Sequence, residues 1–178
     1  MDIAQGRVAK AWLFGARAHK EQKYPIKELP YLTHIGSVVL EVIGVLDTIK
    51  NPTLALCCAI LHDTIEDTFV TFEDIQKEFG NEVAQGVAAL SKNKNLPKEK
   101  QMQDSLERIK QQPKEVWIVK MADRVANLSK PPASWSQEKR KNYQQEAKMI
   151  LEHLGSANEK LAKRLEEKIK EYNQYIKE

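Results

Sequence analysis

The sequence predicts an all-α protein folded as one domain of about eight to ten helices. Three observations carry this reading. Apolar residues recur at mixed three- and four-residue spacing in nearly every segment. Helix start and stop signals separate those segments. The 178 residues, enough for one real core, contain no repeat, no glycine-rich phosphate loop and no linker. With 42% apolar and 30% charged residues, the chain reads as globular rather than disordered.

From Ile3 to about Glu21, the positions Ile3, Val8, Ala11, Trp12, Gly15 and Ala18 mark the first helix. Lys20 to Pro30 is polar, holds two prolines and reads as a loop. A second helix starts near Tyr31 or Leu32 and runs to about Thr48. Its Val and Ile content also suits a strand, but a run of roughly 16 residues favours a helix. Asn51-Pro52 offers a cap and a first-turn proline. The segment it opens, Thr53 to about Asp63, is apolar on all sides and predicts a central buried helix. Thr71 and Asp74 resemble a capping box for a short helix that stops at Gly80. Further helices are expected at about Glu82–Leu90, Lys98–Lys110, Glu115–Leu128 and Ser136–Leu154, with a polar loop from Ser91 to Pro97. Gly155 ends the last of these. Ser156 is expected to cap a final amphipathic helix whose apolar side carries Leu161, Leu165, Ile169 and Ile176. Residues 156–178 would then pack on the 1–155 domain or on a partner, which leaves a homo-oligomer open.

The formal charge of +3 does not imply nucleic-acid binding, although a local basic face for a small anion remains compatible with it. Cys57 and Cys58 are adjacent inside an apolar run and read as buried, reduced thiols. There is no signal pattern and no stretch near the ~20 apolar residues a membrane helix needs. The expectation is a cytoplasmic protein without membrane or nucleic-acid partners.

Chemistry concentrates where the apolar run Leu54–Leu61 ends in His62-Asp63, with Glu66 and Asp67 just beyond. Ionisable groups against a core are costly unless they pair or hold a cation. His34 and Asp123 interrupt other apolar faces. Each histidine alone reads more readily as a hydrogen-bonded core residue. Together, two imidazoles and two carboxylates suit a divalent transition metal with positions left for water and a phosphate oxygen. Glu66 and Asp67 are either a solvated turn before the Thr71 cap or groups that orient and deprotonate a water. Asn127, one turn after Asp123, either caps its helix or bonds a substrate sugar or phosphate.

The spaced His34, His62-Asp63 and Asp123 resemble the signature of the HD-domain metal-dependent phosphohydrolases. Pro30-Tyr31-Leu32-Thr33-His34, Leu61 to Thr68, Phe79-Gly80 and Val119 to Leu128 resemble the hydrolase domain of the RelA/SpoT alarmone enzymes. Leu96-Pro97-Lys98 and Trp135-Ser136 with Tyr143 resemble its small, stand-alone, metazoan-type members. The resemblance spans about residues 5 to 155. It implies an HD-type helical bundle, one Mn2+ ion held by His34, His62, Asp63 and Asp123, and removal of the 3′-pyrophosphate of guanosine tetra- or pentaphosphate. It implies that Glu66 and Asp67 act on water and that Tyr31 and Asn127 line the nucleoside pocket. It also implies that Lys98, Trp135, Lys139 and Tyr143 hold the guanine nucleotide, with Lys139 where those enzymes have arginine. From the residues alone that last set reads rather as a solvated face with one aromatic contact. Ile35 stands where the family has proline. Lys20-Glu21-Gln22-Lys23-Tyr24 stands where it has an arginine near guanine, so Lys23 or Tyr24 is expected to substitute. That departure keeps another phosphorylated nucleotide in view, such as the 2′-phosphate of NADPH or a nucleoside monophosphate. The chain is too short to hold the family's synthetase domain.

Overall fold

Pro52 to Leu61 forms the central helix of the bundle, and every residue from Leu54 to Leu61 is buried. A helix apolar on all sides must be covered on all sides. In this computed structural model, which describes residues 3–24 and 29–176, it is. The described residues form α1 (Gln5–Ala18), α2 (Leu32–Ile43), α3 (Pro52–Leu61), α4 (Thr64–Asp67), α5 (Phe72–Phe79), α6 (Asn81–Leu90), α7 (Lys98–Lys110), α8 (Lys114–Asn127), α9 (Gln137–Leu154) and α10 (Glu159–Glu171). Short 3-10 turns lie at Leu46–Thr48, Gly155–Ala157 and Tyr172–Tyr175. Helices α1, α2, α6 and α8 pack around α3, while α9 and α10 pack against α8. The all-α, single-domain reading therefore stands. Among the described residues no helix is long and apolar enough to cross a membrane.

The local signals act as their chemistry predicts. The Asn51 side chain accepts from the Leu54 N–H at 3.0 Å. Thr71 and Asp74 make both bonds of a capping box, with aspartate serving as well as the usual glutamate. Gly80, at φ +80°, ends α5 and leads straight into α6, a conformation that disfavours a side chain. Cys57 and Cys58 are buried and unbridged.

Four helices differ in their bounds from the sequence reading. The first helix is shorter at both ends, and its C-terminal side turns into a loop neck. In that neck Lys23 and Pro30 form an antiparallel bridge and Tyr24 N–H donates to Leu29 at 2.7 Å. Residues 25–28 of the Lys20–Pro30 loop lie outside the described residues. The second helix ends at Ile43, where Lys160 takes the Gly44 carbonyl at 2.6 Å and Asn158 bonds Thr48 at 2.6 Å. The third ends at Leu61, not Asp63. The Thr64 hydroxyl donates to the Leu61 carbonyl at 2.7 Å, diverting it from the helical ladder. The last helix is capped by Asn158, whose Oδ1 accepts from Leu161 N–H at 2.9 Å, and not by Ser156, which lies in a 3-10 turn. Leu161, Leu165 and Ile169 are buried against the same chain, whereas Ile176 lies beyond the helix and only partly packs.

Gly86 lets α6 approach α3 and α8. A Cβ there would sit 2.8 Å from Cys58 Sγ and 3.0 Å from Val116 Cγ2. Gly86→Ala gains about 1 kcal/mol of helix propensity but loses about 1–3 kcal/mol to overpacking. The expected outcome is a lower denaturant midpoint with an unchanged m-value. A raised midpoint would contradict this packing.

Candidate active site

The chain turns sharply where α3 ends, and this turn points His62 and Asp63 in one direction. Asp63 has φ −99° and ψ 0°, so the next helix starts on a new axis. His34 comes from α2 and Asp123 from α8, the two helices that flank α3. Their ring and carboxylate atoms converge. The two Nε2 atoms of His34 and His62 are 3.3 Å apart. Asp63 Oδ2 lies 2.8 Å from His62 Nε2 and 3.5 Å from His34 Nε2. Asp123 Oδ1 lies 3.4 Å and 3.8 Å from the same two nitrogens. Candidate ligand atoms of His34, His62 and Asp123 all fall within 4.8 Å of one another.

This donor set fits a divalent metal. His62 Nδ1 lies 2.8 Å from the Ala59 carbonyl, an acceptor, so Nδ1 carries the proton and Nε2 turns a lone pair inward. The carboxylates are steered in the same way. Tyr31 donates its hydroxyl to Asp63 Oδ2 at 2.6 Å. Asn127 donates to Asp123 Oδ1 at 2.6 Å, and the Lys120 ammonium is 3.6 Å from Asp123 Oδ2.

The charges are strongly coupled. Burial opposes a charge on His34, yet hydrogen bonds and charge from Asp123 and Asp63 outweigh it and push its pKa up to about 9. His62 is raised against its burial too, by Asp63 first. Burial alone would raise Asp63 and Asp123. The imidazoles, helped by Lys120 at Asp123, hold both carboxyls well below the usual range.

Two cavities open beside the cluster. One, of about 450 Å³, is lined by Tyr24, Tyr31, Asp67 and Asn127 among others. The second, of about 600 Å³, is lined by Lys98 and Lys139, and the two share Lys92, Trp135 and Tyr143. Lys139 Nζ sits 4.4 Å from the centre of the Trp135 ring. Tyr24 stacks on His34, with ring centres 5.8 Å apart and planes 13° from parallel. Lys23 is exposed, and neither of these two cavities has it in its wall. Glu66 faces the 91–94 loop: its Oε2 accepts from Lys92 N–H at 2.8 Å, and its carbonyl accepts from Lys94 Nζ.

Sequence reasoning passed over several residues here. Lys120 was legible, one turn before Asp123 on the same face. Lys92, in a polar loop, and Tyr172, 49 positions beyond Asp123, carry no local signal for a place in the cavity wall. Arg124 is buried, 4.0 Å over the Tyr143 ring, and pairs with Glu146 at 3.0 Å.

In chelator-treated protein, His34 holds its proton more tightly folded (about 9) than at its ordinary 6.5. Its stabilising contribution is therefore full below pH 6.5 and lost as pH rises through about 9, and His62 acts in the same sense. Asp63 and Asp123 contribute above pH 3.8 and lose that contribution as pH falls through their depressed values. Denaturant midpoints should fall from pH 6.5 to pH 9, and less so in His34→Gln. A midpoint that climbs across that interval would contradict the coupling.

Comparison with known proteins identifies the family. A family model described as HD domain matches residues 11–160. The guanosine-3′,5′-bis(diphosphate) 3′-pyrophosphohydrolase MESH1 of Xenopus tropicalis is 30% identical over 167 residues, covering 89% of this chain and 90% of its own. Its counterpart in Drosophila melanogaster is 31% identical over 160 residues, covering 86% and 88%. A solved structure, described as a metazoan ortholog of SpoT that hydrolyses ppGpp and plays a role in starvation responses, superposes with a TM-score of 0.82. It is 28% identical, with 96% of this chain and 97% of that one covered. Convergent imidazoles and carboxylates at the turn after α3, on a bundle matched over nearly its whole length, make this chain a member of the HD-domain hydrolase family, akin to the small metazoan relatives of SpoT.

Proposed function

We propose that this protein removes the 3′-pyrophosphate of guanosine tetra- or pentaphosphate, giving GDP or GTP and pyrophosphate, with one Mn2+ ion. The observation that carries the reading is the donor set His34, His62, Asp63 and Asp123 beside an aromatic cavity that shares a wall with a lysine-lined one. A nucleotide with phosphates at two positions needs such a pair of spaces. The activity of the MESH1 relatives supports the same substrate.

The base would lie among Tyr24, Trp135 and Tyr143, since aromatic faces accept any base by stacking. Tyr31 and Asn127 would border the ribose while they hold Asp63 and Asp123. Lys98 and Lys139, with Lys92 between the cavities, would neutralise the phosphates distant from the bond that breaks. Bound at the four ligands, the cation would make a water more acidic and polarise a phosphoryl oxygen. Asp67, on the cavity wall, would take the proton of the water that attacks the phosphorus next to the ribose 3′-oxygen. The bond from that phosphorus to the 3′-oxygen would break, and Asp67 would return the proton to that oxygen as it leaves. Glu66 would complete the carboxylate pair from the same turn, its Oε2 anchored by Lys92. We place this activity in the cytoplasm, consistent with two unbridged cysteines.

A second reading keeps the site and changes the nucleotide to the 2′-phosphate of NADPH or a nucleoside monophosphate. Its support is the loop neck: Tyr24 stacks on His34, and Lys23 is in the wall of neither of these cavities.

Mn2+-loaded protein given guanosine tetraphosphate should release pyrophosphate. Turnover of another phosphorylated nucleotide and not of this one would replace the first reading with the second. Asp67→Ala should lower kcat by at least about 100-fold while metal, measured by equilibrium dialysis, stays bound. His62→Ala should lose both metal and turnover. Loss of metal from Asp67→Ala would remove Asp67 from its assigned role.

A further inference from the structure

We propose that His19 and Gln22 form a positioning relay that sets the direction of the Asp67 carboxylate, a role that rests on the reading of Asp67 given above. His19 ends α1 and is buried, at 2% exposure. Its Nδ1 lies 2.7 Å from Gln22 Oε1. Gln22 Nε2 in turn lies 3.4 Å from Asp67 Oδ2, and Gln22 and Asp67 line the same cavity.

The direction of each bond follows from chemistry. An ionised carboxylate only accepts. The Gln22 amide must therefore turn its NH2 to Asp67, because the reversed amide would set oxygen against oxygen. Its Oε1 then faces His19, and an oxygen of this kind only accepts as well. So His19 Nδ1 must be the protonated nitrogen. Burial lowers the His19 pKa, which keeps the ring neutral and leaves that single N–H as its donor. Nε2 is then the bare nitrogen, and it is indeed buried without a partner. A buried polar atom left unpaired is a cost that a purely structural residue would avoid. Here it is the consequence of committing the ring's one proton to Gln22.

The same ring fixes the other side of the site. His19 stacks on Tyr31, with ring centres 4.8 Å apart and planes 30° from parallel. Tyr31 donates to the ligand carboxylate Asp63 at 2.6 Å. One buried imidazole at the end of α1 thus orients Asp63 through Tyr31 and Asp67 through Gln22. Neither His19 nor Gln22 touches the candidate ligand nitrogens. They act through the groups that do the chemistry, as partners behind metal ligands do.

The test uses full-length, Mn2+-loaded protein and whichever phosphorylated nucleotide the wild type hydrolyses. Gln22→Met keeps the side-chain volume and removes both bonds. It should lower kcat by roughly 10- to 100-fold, with KM within about twofold and metal affinity and Tm unchanged. His19→Leu should lose at least as much kcat as Gln22→Met, since it also removes the stack on Tyr31. His19→Asn, whose amide NH2 can occupy the Nδ1 position, should recover most of it. In a relay the losses through Gln22 do not multiply, so the His19→Leu/Gln22→Met double variant should be no slower than His19→Leu alone. A KM rise without a kcat loss would make Gln22 a substrate contact and overturn the proposal. Multiplying losses, or no kcat change in Gln22→Met, would also overturn it, and the Gln22 variants decide the matter if His19→Leu fails to fold. A wild type that hydrolyses a different nucleotide defeats the substrate assignment and leaves the relay standing on these ratios. A wild type that hydrolyses none defeats both.

Discussion

Four ionisable side chains, His34, His62, Asp63 and Asp123, bring imidazole nitrogens and carboxylate oxygens 2.8–3.8 Å apart at the end of a helix that is otherwise wholly apolar. Such groups are expensive to remove from water. They persist there because opposite charges compensate and because outer partners fix each one. Tyr31 and Asn127 donate to the carboxylates, Ala59 accepts from His62, and Lys120 adds a positive charge near Asp123. The same compensation leaves the imidazole nitrogens and carboxylate oxygens facing inward, which is the arrangement a divalent metal uses.

The bundle exists around that requirement. Helix α3 must be surrounded, and α1, α2, α6 and α8 surround it. Two of these, α2 and α8, bring one candidate ligand each. Close approach is achieved by small residues at the crossings, with Gly86 against Cys58 and Val116, and Gly15 against Ile60. The kink after Leu61 is equally necessary. If α3 had continued through Asp63, successive residues would have pointed about a third of a turn apart. The Thr64 hydroxyl on the Leu61 carbonyl ends the helix where the candidate ligands begin.

The cavities are assembled from parts distant in the chain. Their walls draw on the loop neck after α1, the loop before α7, the start of α9 and the 3-10 turn after α10. Glu66 ties α4 to the 91–94 loop, and Arg124 ties α8 to α9 through Tyr143 and Glu146. The shape of the cavities is therefore set by polar ties between elements, while the candidate ligands are set by the apolar core.

Much of this was legible in the residues. Period and caps gave the helices: Asn51, the Thr71–Asp74 box, Gly80 and Lys98–Lys110 are local matters of backbone satisfaction, and local chemistry decides them. The candidate ligands were legible because charged residues in apolar runs are anomalous wherever the run packs. What the residues could not supply were the events that depend on another segment. Helix α2 stops at Ile43 where α10 takes over the polar groups that follow, Asn158 rather than Ser156 caps α10, Glu66 turns to the Lys92 loop, and Lys23 falls outside the walls of both cavities. The sequence by itself determined the helices, the buried core and the chemistry of the ligand set, because burial and backbone hydrogen bonding act over a few residues. Only the tertiary structure decided where α3 breaks toward its neighbours, which side chains wall the cavities and how His19 reaches Asp67, because those contacts join positions tens of residues apart.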